Sequence, residues 1–182
     1  MTTPLPLPTL HAAPAAGFDA PFDMLAACHE RVERSLVLLE RLAAHLGTHG
    51  PDAAARDAAR DVLRYFDLAA PHHHQDEERH VLPALRAAGQ VDLAERIERE
   101  HVALAAAWAA LRPGLQALAD AARAPDPMLD GWAGFAAAYR AHAALEDSEV
   151  FPRVGALLDA AARTAMGREM ATRRGVPLMP GR

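Results

Sequence analysis

Two stretches of the chain repeat one another, and this repeat restricts the fold more than any other feature. HHHQDEERHVLPAL (72–85) and RAHAALEDSEVFPRV (140–154) each place a glutamate four residues after a histidine, His73 with Glu77 and His142 with Glu146. A proline follows each glutamate by six, Pro83 and Pro152, with the apolar pairs Val81-Leu82 and Val150-Phe151 just ahead of it. An aromatic stands seven residues before each histidine, Phe66 and Phe135. The segments upstream match as well. His29 has Leu25 four before it and Val32, Leu36 and Leu39 at three, seven and ten after; His101 has Ile97, Leu104, Trp108 and Leu111 at the same offsets. The chain reads as one helical hairpin written twice.

Apolar spacings of three and four predict a helix from about Pro21 to Leu46, closed by GTHGPD (47–52). A second run spans about Ala53 to Ala88 with Gly89 as its cap. A third begins under a cap from Asp92, with Pro113-Gly114 expected to kink or interrupt it. APDPMLDG (124–131) is the next breaker, with Asp126-Pro127 suited to a helix start, and a fourth run extends to about Arg163. β-branched residues are sparse and no stretch alternates, so strands are not expected. The expected fold is all-α, an up-down-up-down four-helix bundle over residues 20–163. A flexible Pro/Ala-rich lead-in (1–19) precedes it and a short docked or mobile tail (164–182) follows.

Composition removes several classes of function. A net charge of −5 and a pI near 6.0 offer no basic excess for phosphate contacts, which argues against nucleic acid as a partner. All 19 basic side chains are arginine, a mark of genome composition before function. The single cysteine, Cys28, precludes an internal disulfide framework and suits a reducing cytosol. No stretch approaches the roughly 18 unbroken apolar residues of a membrane span, and the N-terminus lacks the charged start of a signal peptide. A cytoplasmic protein with no membrane partner is expected.

The spacing has a chemical reason. Positions i and i+4 lie one turn apart on the same helix face, so each HisxxxGlu can send an imidazole nitrogen and a carboxylate oxygen to one point of a bundle core. His29 and His101 sit inside apolar stripes and point the same way. Four histidines and two glutamates, His29, His73, Glu77, His101, His142 and Glu146, form a ligand set for a pair of cations. Buried carboxylates without partners would be costly, and a metal answers that cost.

This arrangement resembles the hemerythrin-like HHE cation-binding family over about residues 20 to 163. The resemblance implies a four-helix bundle holding two iron ions, bridged by oxo or hydroxo and by the glutamates, with histidines completing each shell. One departure matters. Oxygen-carrying hemerythrins have a second histidine four residues after the one on the third helix, where this chain has Ala105. The implied centre is more open, and points away from oxygen transport toward the branches associated with iron sensing, nitrosative or oxidative stress and iron–sulfur-cluster repair.

Other residues carry weaker expectations. His72 and His74 flank His73 by about 100° around the helix and are expected to face neighbours or solvent, although a one-residue slip would make His74 and Glu78 the i,i+4 pair. His80 and Glu149, each seven after a histidine, could be metal ligands, partners in the layer around them or surface, the layer being favoured; Glu33, four after His29, is an outside ligand candidate. Tyr139, one turn before His142, is expected in the core, and Cys28 as a small buried hydrophobe. Three functions fit: a di-iron protein meeting dioxygen, peroxide or nitric oxide in sensing or protection; a redox enzyme using the same centre, peroxidase-like or in cluster repair; and a zinc-stabilised structural bundle. A closed zinc site has four ligands, which six candidates fit poorly. A ferritin-like carboxylate centre is a further rival, carried by Glu77xxHis80.

Overall fold

A computed structural model of the chain describes residues 17–120 and 129–177. Among these residues there are five helices and no strand. Helix α1 is Pro21–His49 and α3 is Val91–Ala119. Helix α2 (53–87) joins three α-helical segments, Ala53–Arg64, Ala70–Asp76 and Leu82–Ala87, through the π-helical turns Tyr65–Ala69 and Glu77–Val81. Helix α4 (129–157) joins Leu129–Leu145 to Phe151–Leu157 through the π-turn Glu146–Val150. Helix α5 is Ala160–Arg173.

The helix ends follow local chemistry. The Asp52 carboxylate accepts the Ala55 N–H at 2.9 Å and caps α2. Gly89, at φ +75°, closes its other end, where the Gln90 N–H reaches back to the Leu85 carbonyl at 2.9 Å. Asp92 does not cap α3. The cap position is Gln90, and Asp92 lies in the first turn, where its charge meets the positive end of the helix dipole. Pro113 does not interrupt α3; Ala109, whose carbonyl loses its helical donor to the proline, is exposed to water. Asp126-Pro127 lies outside the described residues.

The fourth run ends earlier than its periodicity suggests. Leu158 is extended (φ −82°, ψ 129°), and Asp159 starts a new helix by accepting the Ala162 N–H at 2.8 Å. The segment expected as a tail is therefore largely helix, because Met166 and Met170, four apart, bury one face against the bundle.

Each π-turn has a proline six residues after its first residue: Tyr65 and Pro71, Glu77 and Pro83, Glu146 and Pro152. In each the N–H just ahead of the proline skips back five residues, Ala70 to Tyr65, Leu82 to Glu77 and Phe151 to Glu146. Proline lacks an N–H and crowds the carbonyl four residues earlier, so inserting one residue relieves the crowding. Pro113 sits in regular helix, so proline alone does not suffice. The doubled spacing in the sequence is thus also a doubled backbone feature, with each repeated glutamate opening a π-turn.

Helices α1 and α3 each pack on both α2 and α4. Two apolar clusters fill the interior. One holds Leu36, Leu39, Val62, Phe66, Leu111 and Phe135; the other holds Leu25, Leu82, Ile97, Val150, Met166 and Met170. On each of the first four helices the switch between clusters falls beside a histidine, so a polar layer lies between two dry ones. Helix α3 alone among the described helices is long and apolar enough by composition to cross a membrane, with mean hydropathy 1.3 over an 18-residue window that is 28% buried. Alanine supplies much of that apolarity, and Ile97, His101, Leu104 and Leu111 face its neighbours in the bundle.

Helix α5 docks through polar and steric fits together. Asp76, fully buried on α2, accepts from Arg173 at 2.6 Å and from Arg174 at 3.0 Å. Gly167 has no room for a side chain, since a Cβ there would lie 1.8 Å from the Phe18 carbonyl oxygen. Gly167→Ala is expected to cost about 1–3 kcal/mol of stability, as overpacking does. A urea titration would register it as a lower midpoint; an unchanged midpoint would mean that the segment before α1 shifts freely.

Candidate metal centre

The four central helices deliver their repeated residues to one buried polar layer. His29 (6% exposed), His73 (0%), Glu77 (0%), His101 (3%), His142 (2%) and Glu146 (0%) all face inward. The Nε2 atoms of His29 and His73 are 2.9 Å apart. Two imidazoles at right angles on one first-row cation, with bonds of about 2.1 Å, place their nitrogens about 3 Å apart. Glu77 sends Oε1 to within 3.2 Å of His73 Nε2 and Oε2 to within 3.3 Å of His101 Nε2. Glu146 Oε2 lies 3.2 Å from His29 Nε2 and 3.3 Å from His142 Nε2. Each carboxylate therefore touches imidazoles of two groups. His29, His73, Glu77 and Glu146 can converge on one cation, and Glu77, His101, His142 and Glu146 on a second.

His74 joins the second group. Its ring stacks on that of His101, with centroids 4.1 Å apart and planes within 4°, and its ligand atom lies within reach of those of His101 and His142. Of the two expected surroundings, neighbours or solvent, it meets neighbours. Its rotation of about 100° from His73 turns it toward α3 and α4, which occupy that side. Its Nε2 is 2.9 Å from the buried Tyr139 hydroxyl. Ala105, by contrast, lies on the exposed side of α3.

The outward nitrogens are held by carboxylates. His29 Nδ1 meets Asp147 at 2.9 Å, His101 Nδ1 meets Glu78 at 3.1 Å, and His142 Nδ1 meets Glu100 at 2.9 Å. Such partners fix which nitrogen carries the proton and leave Nε2 as the inward lone pair. Glu78 thus meets His101 from outside and lies in none of the convergent groups of ligand atoms. Asp147 and Glu100 escaped the sequence reading. Asp147 had a signal, since an acid directly follows the repeated glutamate in both copies, Glu77-Glu78 and Glu146-Asp147. Glu100 precedes His101 where Cys28 precedes His29, and here the two halves differ: His73 Nδ1 is buried without a hydrogen bond.

The remaining candidates lie elsewhere. His80 bonds Glu169 on α5 at 2.7 Å, Glu149 pairs with Arg153 at 3.1 Å on the surface, and Glu33 pairs with Arg140 at 2.8 Å. Their i+4 and i+7 spacings hold, but the outer helix and surface arginines capture them. His45 sits near Asp52, at 3.0 Å, far along α1 from the layer. Cys28 is half-buried, and burial raises its thiol pKa, as suits an unreactive thiol.

Chemistry inside the layer is unbalanced without a cation. Both oxygens of Glu77 and of Glu146, together with Nε2 of His101 and of His142, are buried with no partner in hydrogen-bond geometry; their mutual contacts are close but poorly directed. Burial and the neighbouring Glu146 charge push Glu77 up to about 8. Burial opposes protonation of His29 and His101, yet the adjoining carboxylates raise them to about 9 and about 10. Burial and the charge of His29 drive His73 well below its ordinary value, and burial with His101 lowers His74 to about 3. One carboxyl gains a proton while its neighbours compete for the rest. Cations would take up these lone pairs and charges together, so the residues present fit a metal pair.

Comparison with known proteins covers the same span of the chain. The family model described as Hemerythrin HHE cation binding domain matches residues 20–154. A Haemophilus influenzae protein described as uncharacterized is 35% identical over 163 residues, covering 88% of this chain and 94% of its own length.

Proposed function

Because the chain belongs to the hemerythrin HHE cation-binding family, we propose that it holds two iron ions in an up-down-up-down four-helix bundle extended by α5. In this reading it meets dioxygen, peroxide or nitric oxide in cytoplasmic sensing or stress protection rather than in oxygen transport. The observation carrying the proposal is the pair of buried carboxylates, each within 3.3 Å of imidazole nitrogens from two convergent groups. An iron pair supplies exchangeable coordination positions and a change of oxidation state. His29 and His73 serve one position, and His101 and His142 the other, with His74 as a fifth imidazole in place of the one absent at Ala105. Glu77 and Glu146 join the two. Asp147, Glu78 and Glu100 orient the rings from outside.

A single closed zinc site uses four ligands, and this set of seven inward residues exceeds it. The ferritin-like alternative loses support because His80 pairs with Glu169 on α5. Turnover with peroxide and a reductant separates the enzyme reading from the sensor reading.

The deciding experiment is metal content by mass spectrometry, with an optical spectrum, on untagged protein purified without added metal. About two irons per chain and a spectrum altered by azide or nitric oxide are expected; one zinc, or none with the fold intact, overturns the proposal. Glu100→Gln is expected to weaken cation binding about 10–100-fold, as loss of an orienting partner does. Competition with a chromophoric chelator reads that change, and unaltered affinity would remove Glu100 from the support of His142.

A further inference from the structure

Beside the second cation position lies a cavity of about 370 Å³, lined in part by Phe66, Trp108, Phe135 and Leu104 and ending at His74 and Tyr139. A diatomic ligand needs about the volume of a water molecule, roughly 30 Å³. An apolar cavity of about 150 Å³ accommodates a benzene ring, so this one has room for a ring and its substituents. It also falls within the range of small-molecule sites. The walls are firmly set. The Trp108 indole N–H donates to Asp67 at 2.9 Å, and Arg112 holds the same carboxylate. Phe66 packs against Trp108 and Phe135 with centroids 5.0 and 5.1 Å apart. The mouth includes Val102, 68% exposed, and Ala105, whose small side chain keeps it open.

The polar residues of the wall are His74, Gln75, Glu78, His101 and Tyr139. The Tyr139 hydroxyl and His74 Nε2, 2.9 Å apart, form one hydrogen-bonding end next to His101. Glu78, half-exposed, stands at the rim and disfavours an anionic guest. We infer that this cavity binds a neutral organic hydroperoxide of single-ring size, its apolar body against Trp108 inside the mouth formed by Val102 and Ala105 and its oxygen head toward the Tyr139 end. The choice of head group rests on the proposed iron pair; the shape and polarity of the guest rest on the cavity alone.

The test is calorimetric titration of the full chain, as purified and with its metal content measured, using 2-phenylpropan-2-ol as an unreactive probe. One saturable site is expected. Cumene hydroperoxide should displace the probe competitively. Ala105→Phe, at an exposed position that tolerates size, should weaken binding at least tenfold, and Val102→Trp should do so independently. Tyr139→Phe should weaken the alcohol several-fold while leaving the affinity for cumene, which has no oxygen, unchanged. No saturable binding, or equal binding by both mouth variants, overturns the inference. Failure of the hydroperoxide to compete overturns the assigned guest. Probe binding by protein that holds no iron would leave the cavity assignment standing and sink the iron proposal; two irons with no probe binding would do the reverse.

Discussion

Glu77→Gln is expected to release metal from both positions and to reverse its effect on stability once metal is stripped. Glu77 reaches one imidazole of each group, His73 at 3.2 Å and His101 at 3.3 Å, so its loss would weaken both proposed positions. Bound metal stabilises only the folded state, by about 2.7 kcal/mol at a free concentration one hundred times Kd. In a domain of this size that is roughly 5–10 °C of thermal midpoint. After chelation the sign changes. The folded Glu77 carboxyl titrates at about 8, above its ordinary 4.5, because burial and Glu146 disfavour its charge. A raised carboxyl pKa means that the unfolded chain ionises first, so the stripped fold loses stability as pH rises from about 4.5 through 8. Glutamine removes that loss. At pH 7.5 the stripped variant should melt no lower than stripped wild type, and its pH slope over this window should flatten. Two irons retained by the variant, or an equal deficit with and without chelator, would contradict the bridging role.

Asp76→Ala is expected to detach α5 and to cost about 3 kcal/mol, the low end for removing one partner of a buried ion pair. The low end applies because Arg173 and Arg174 keep 12% and 18% exposure while Asp76 has none. Truncation leaves two guanidinium groups against α2 without the buried carboxylate, Arg173 keeping Glu169 and Gln75 and Arg174 only main-chain carbonyls. Hydrogen exchange should then show loss of protection across residues 160–173 before the four central helices open. Uniform protection in the variant, with a urea midpoint matching wild type, would mean that Met166 and Met170 hold the helix unaided.

The inward layer and the docking of α5 differ in how far they were legible. The six inward histidines and glutamates on α1 to α4 follow from periodicity, because a residue's helical face is a local property that spacing of three, four and seven records. The bundle and its breakers follow for the same reason, as the Asp52 cap and Gly89 illustrate. Periodicity goes wrong where the signal is mixed: Pro113 left α3 unbroken, and the boundary at Leu158 lay hidden inside an alanine-rich run. The tail beyond it carries Gly, Arg and Glu between its two buried methionines, and its helical face becomes meaningful only against α1 and α2.

By itself, then, the sequence determined that this chain makes long amphipathic helices and that a doubled HisxxxGlu, with two further histidines, turns toward their core. Tertiary structure decided which groups meet across helices. His74 became a neighbour of His101 because α3 occupies the side where a lone helix would show solvent. Asp147 serves His29 across 118 residues of chain, and Asp76 serves Arg173 across 97. Those pairings depend on the rotation of one helix against another, which packing of the two apolar clusters sets and which no spacing along a single helix encodes.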